Sequence, residues 1–242
     1  MSVEADVAKP EQGVSAIFWL LIAVFAIAFA SLAGGETSGF VVFAFVFIGW
    51  IISLCLHEWG HAATAWAGGD QSVEERGYLT LNPLRYTNPL LSIIMPLIFL
   101  AMGGIGFPGG AVYVNQSKLR GPGWRAAVSA AGPAMNLICL ILIGIFFQSM
   151  GLQANATPTP LAAALALLAF LQATALILNL LPVPGLDGFG ILQAVLPDSM
   201  RAMVARYGGL VMIAFFVALI SAPSLFSPIF GVAMWLCDQL SI

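Results

Sequence analysis

Apolar runs at residues 14–33, 40–67, 89–102, 126–150, 161–181 and 208–237 occupy most of this chain. A helix of about 20 apolar residues crosses a hydrocarbon core of roughly 30 Å with every backbone polar group satisfied. The pattern therefore predicts an all-α polytopic membrane protein of about six transmembrane helices. Composition excludes the alternatives: 60% of the 242 residues are apolar and only 8% charged, where soluble domains carry about a quarter charged residues and disordered chains are polar. With a net charge of -3 there is no basic surface for nucleic acid, and the lipid bilayer is the expected surrounding.

The tail before residue 14 holds Glu4, Asp6 and Glu11 against Lys9, unlike the positive start of a signal peptide, so 14–33 reads as a span. The last run is interrupted by Ser-Ala-Pro-Ser-Leu-Phe-Ser-Pro at 221–228, which suits either a hairpin of short helices or one kinked helix. Cys55, Cys139 and Cys237 lie in or at the ends of apolar runs without C-x-x-C spacing and read as packing residues. The connections 68–88 and 103–124 are rich in Gly, Pro and Asn, and hold short alternating pieces at 78–81 and 111–114. These read either as a small membrane-associated β element or as irregular loop.

The second run ends in His57-Glu58-Trp59-Gly60-His61, and these are the chain's only two histidines. On a helix, residues four apart share a face, so both imidazoles can hold one zinc with Glu58 beside it. The duller alternative is a pair of core histidines hydrogen-bonded to a neighbouring helix. Against it, an ionisable residue inside an apolar helix costs about 2.5 kcal/mol or more, which marks it as functional by default. A catalytic zinc takes three protein ligands, and Asp187 is the natural third. It stands in Asn179-Leu180-Leu181-Pro182-Val183-Pro184-Gly185-Leu186-Asp187-Gly188 at the end of another apolar run. The prolines and Gly188 fit an Asp187 presented from unwound backbone, although an ordinary loop explains the same residues. Zinc, Asp187 and Glu58 sum to zero charge with neutral imidazoles, which lowers the burial cost.

Together these two motifs resemble the site-2 protease family of intramembrane zinc metalloproteases, in a compact form without PDZ or CBS domains. Arg76-Gly77-Tyr78-Leu79-Thr80-Leu81-Asn82-Pro83 and Ala131-Gly132-Pro133-Ala134-Met135-Asn136 match further stretches typical of the family, and the similarity covers roughly residues 50–195. The resemblance implies one Zn2+ per chain held by His57, His61 and Asp187, a catalytic Glu58, and Asn179 beside the active site. It implies hydrolysis of peptide bonds in or near transmembrane segments by Glu-assisted attack of zinc-bound water, with a transmembrane protein or peptide as substrate, in a prokaryotic cell membrane. The chain departs from the family pattern at Asn88, where relatives often carry an acid, and at 111–114, where they often carry a Pro-rich strand. We expect a single metalloprotease domain over 1–242, with its core at 40–195 and accessory helices at 14–33 and 208–237.

Topology tests the ligand set. If every run crosses once, Asp187 and the histidines fall on opposite faces. A re-entrant 89–102, only 14 residues long and containing Pro96, brings them together. That arrangement also puts Lys9, Arg76, Arg85, Lys118, Arg120, Arg125, Arg201 and Arg206 on the cytoplasmic side, as the positive-inside rule requires. The N-terminus and the active-site opening are then cytoplasmic. Two rival functions use the same residues: a divalent-metal transporter or channel with an intramembrane His, Glu and Asp site, and an inactive relative that binds membrane proteins without cutting.

Overall fold

The computed structural model describes residues 13–86, 112–152 and 158–242. Among them regular structure is helical throughout: α1 (Ala16–Ala33), α2 (Gly39–Gly68), α3 (Ser72–Glu75), α4 (Pro122–Ser149), α5 (Pro160–Asn179), α6 (Asp187–Gln193), α7 (Asp198–Ser221) and α8 (Ser227–Gln239), with 3-10 turns at Tyr78–Thr80 and Pro223–Phe226. Among the described residues five helices are long and apolar enough to cross a membrane: α1, α2, α4, α5 and Ser199–Ser221 within α7.

Local chemistry sets the helix ends. The Ser15 hydroxyl caps α1 by accepting the Ile17 N–H at 3.2 Å, and Thr159 caps α5 through Ala162 N–H at 3.2 Å, with Pro160 at the first position. Helix α2 stops at Gly69, whose φ of 116° is open to glycine at little cost.

Helix α5 is the centre of the bundle: 72% of its apolar window is buried, against 11% for α7. Its small residues Ala162, Ala164, Ala169, Ala173 and Ala175 let neighbours approach, and its leucines meet Phe45, Val46 and Trp50 of α2 and Leu140 and Phe147 of α4. The outward face of α4, with Leu137, Ile138, Ile141, Leu142 and Ile145, is exposed, as a lipid-facing stripe should be. At the level of the histidine motif α2 and α4 pack backbone to backbone. A methyl placed on Gly60 would lie 2.9 Å from the Ala131 carbonyl.

Two open readings are settled, and one expectation falls outside the described residues. Residues 78–81 form a 3-10 turn instead of a strand, because Gly77 and Leu81 flank it at φ 75° and 60° and the Thr80 hydroxyl bonds back to the Gly77 carbonyl at 2.7 Å. The 208–237 region is two helices broken at Ala222, with α8 leaning on α5 through Phe230 and Phe170, whose ring centroids are 6.4 Å apart. The expected re-entrant segment at 89–102, and Ala111, lie outside the described residues. The residues on either side of that segment both meet the C-terminal half of α2: Tyr86 donates to the Cys55 carbonyl at 3.1 Å, and Val112 to Glu58 at 3.2 Å.

Candidate metal centre

His57 and His61 lie one turn apart on the α2 face that meets α4, and both are buried. His61 Nδ1 is 2.7 Å from the Val128 carbonyl. A carbonyl only accepts, so the proton is on Nδ1 and the Nε2 lone pair is free. His57 Nδ1 is 2.6 Å from Asn136 Oδ1, which assigns the same tautomer. Pro133 lacks the N–H that would close on Ser129, and the turn of α4 just before it supplies the Val128 carbonyl.

Asp187 arrives from the far end of α5. The chain turns through Pro182-Val183-Pro184-Gly185, with Gly185 at φ 96°, and Asp187 becomes the first residue of α6. This corrects the expectation of unwound backbone, and an acid in a first helical turn is favoured by the helix dipole. Gly188 permits the fold-back, since a methyl there would collide with the Leu180 carbonyl.

The three predicted ligands converge. His57 Nε2 is 3.1 Å from His61 Nε2, His57 Nε2 is 3.2 Å from Asp187 Oδ2, and His61 Nε2 is 3.3 Å from Asp187 Oδ1. Donors about 2.1 Å from a tetrahedral zinc stand about 3.4 Å apart, so the triangle fits that ion within a few tenths of an ångström. Two proton-free Nε2 atoms at 3.1 Å repel unless they share a cation, which is a second reason the donor set suits a metal. Among the described residues this is the one cluster of three such side chains.

Glu58 is 3% exposed and lines the same cavity of about 350 Å³ as the ligands, together with Tyr113, Val114, Gln116, Ser129 and Asn179. One of its oxygens accepts the Val112 N–H at 3.2 Å. The Asn179 side chain makes no hydrogen bond to any described residue, and its amide borders the cavity at the end of α5.

Rip2 of Mycolicibacterium smegmatis, a protein named as a zinc metalloprotease, is 47% identical over 199 residues, which is 81% of this chain and 74% of its own. Rip2 of Mycobacterium tuberculosis is 48% identical over the same shares. YwhC of Bacillus subtilis, likewise named as a zinc metalloprotease, is 34% identical over 176 residues, 69% of this chain and 77% of its own. The chain belongs to the site-2 protease family. No family model matches it, and no solved structure does.

Within that family assignment, sequence reasoning missed four participants. The Val128 carbonyl and the Val112 N–H are backbone groups with no signature. Gly132 has no polar group to mark it, yet a methyl on it would collide with His61 Nε2 and lie 2.6 Å from His57 Nε2. Gln172 carries a signal that was available: an amide in the middle of an apolar span is costly and calls for a partner.

Proposed function

We propose that this protein is an intramembrane zinc metalloprotease that hydrolyses peptide bonds in or near the transmembrane segments of other membrane proteins. One observation carries the reading: His57, His61, Asp187 and Glu58 face a single cavity within a bundle of helices apolar enough to span a bilayer. The names of the relatives support the choice of zinc and of proteolysis.

His57, His61 and Asp187 would hold the ion, which when bound supplies Lewis acidity toward the scissile carbonyl and makes water acidic enough to attack near neutral pH. Glu58 accepts the proton of the attacking water and delivers it to the leaving amine. Val112 N–H occupies one Glu58 oxygen and leaves the other to face the cavity. The Asn179 amide, which lines the cavity, would donate to the developing oxyanion, a role worth about 10²-fold or more in other hydrolases. A substrate helix hides its carbonyls in its own hydrogen bonds and must unwind to be cut. The irregular backbone of 112–114 borders the cavity and could offer groups with which an unwound segment pairs. Arg76, Arg85, Lys118, Arg120 and Arg125 lie in the chain between α2 and the first turn of α4, which supports a cytoplasmic opening.

Purified protein and a panel of single-span substrates test the proposal. Cleavage by the wild type that disappears in Glu58→Gln is expected. Cleavage that persists in Glu58→Gln, or zinc flux in proteoliposomes without any cleavage, would overturn it.

A further inference from the structure

Gln172 stands midway along α5, the most enclosed helix, and is 0% exposed. Its amide makes two hydrogen bonds, each to a different helix. Oε1 accepts from Asn136 Nδ2 of α4 at 2.9 Å, and Nε2 donates to Ser53 Oγ of α2 at 2.7 Å. The Ser53 hydroxyl donates in turn to the Trp50 carbonyl at 2.8 Å, and Asn136 Oδ1 faces His57 Nδ1. Ser53 and Asn136 are also buried, so water does not replace a missing partner.

The polarity of this chain of bonds is fixed from one end. A backbone carbonyl only accepts, so the Ser53 proton goes to Trp50 and the Ser53 oxygen is left to accept. Gln172 therefore turns its NH2 toward Ser53 and its carbonyl toward Asn136. Asn136 then turns its own NH2 toward Gln172 and its carbonyl toward His57. A carbonyl at Nδ1 demands the proton there, which frees the Nε2 lone pair at the atom 3.2 Å from Asp187. Were Gln172 reversed, two NH2 groups would face each other, Asn136 would rotate, and the proton of His57 would move to Nε2, where it blocks coordination.

We propose that Gln172 is a positioning residue for the metal centre, acting through Asn136 to hold His57 in the tautomer that presents Nε2 as a ligand. Hydrogen-bond partners behind metal-ligating histidines commonly change metal affinity by 10–100-fold. The inference rests on the metal reading given above and is independent of peptide cleavage.

The test is the zinc affinity of the full chain in detergent, measured without substrate by competition with a fluorescent chelator. Gln172→Glu, protonated in its buried place, still accepts from Asn136 and donates to Ser53. Gln172→Met keeps the length and apolar volume but makes neither bond. Affinity is expected to stay within about threefold in Gln172→Glu and to fall by about tenfold or more in Gln172→Met. A packing role reverses that order, because a buried acid is tolerated less well than methionine. The reversed order, equal losses in both, or two variants both within about twofold of wild type overturns the proposal. A wild type that binds no zinc would instead remove the metal reading itself. Should Gln172→Met not fold, nitrogen NMR of the zinc-free wild type at alkaline pH decides: a His57 proton on Nδ1 is expected, and a proton on Nε2 overturns the assignment.

Discussion

The Val112 N–H donates to Glu58 Oε2 at 3.2 Å, so the carboxylate between the two histidines is held by a segment far from it in sequence. Replacing Val112 with proline deletes that donor, whereas Val112→Ala keeps it. Val112→Pro is expected to retain zinc and lose about tenfold to a hundredfold in kcat, the scale of a misplaced catalytic group, while Val112→Ala stays near wild type. Equal kcat values in the two variants would show that the amide does not orient Glu58.

Glu58 and Asp187 separate chemistry from binding. Glu58→Gln should hold zinc at close to wild-type stoichiometry while cleavage falls by about 10²-fold or more. Asp187→Ala leaves two imidazoles and should lose most of the metal. Metal analysis of the two purified variants checks this, and the opposite pattern would reassign the ligands.

Gly132→Ala isolates the close approach of α4 to the histidines. Alanine is about 1 kcal/mol better than glycine inside a helix, so helicity by circular dichroism should be unchanged. The added methyl stands 2.6 Å from His57 Nε2 and closer still to His61 Nε2, so zinc binding should be abolished. A variant that binds zinc as tightly as wild type would mean that α4 does not close over the ligands.

Asp70 gives a pH dependence whose sign follows from its surroundings. Fully buried, it accepts the Ser72 N–H and hydroxyl at 3.2 and 2.6 Å and the Asn115 N–H at 2.6 Å. Burial acts to raise its carboxyl, but the bonds from Ser72 and Asn115, with Lys118 near, hold it below its ordinary 3.8. A folded value below the unfolded one means that the stabilisation is complete above 3.8 and is lost as pH falls through the folded value. Hydrogen bonds to a charged group are worth about 1.5–3 kcal/mol. Amide exchange at Asn115 should therefore be about tenfold or more faster in Asp70→Asn at neutral pH, and wild-type protection should fail only under acid. Indistinguishable exchange in the two proteins would show that Asp70 does not anchor this segment.

The membrane class, the principal helices and the cluster of His57, His61 and Asp187 were legible in the sequence because each has a strong periodic or chemical signal. His57, Glu58 and His61 share one motif, and Asp187 follows a helix-breaking Pro-x-Pro. Alternation at 78–81 could not separate strand from loop, since Tyr78 and Thr80 are buried in a 3-10 turn as they would be on one face of a strand. The short helix opening at Asp187 was masked by the prolines and glycines that precede it, which read equally well as loop. What meets the Nδ1 atoms of the histidines was less readable, because Val128 contributes a backbone carbonyl and Asn136 reaches His57 from another helix.

Asp187, the proposed third ligand, opens α6, which follows four of the five apolar helices among the described residues. On the ribosome, a nascent chain therefore carries two imidazoles and no carboxylate partner until those four helices have been made. Two nitrogen donors are fewer than the three protein ligands a catalytic zinc takes, so products truncated before residue 187 are inert. On the proposed ligand set, hydrolysis would wait until α5 is complete, and a copy interrupted earlier would lack its third donor.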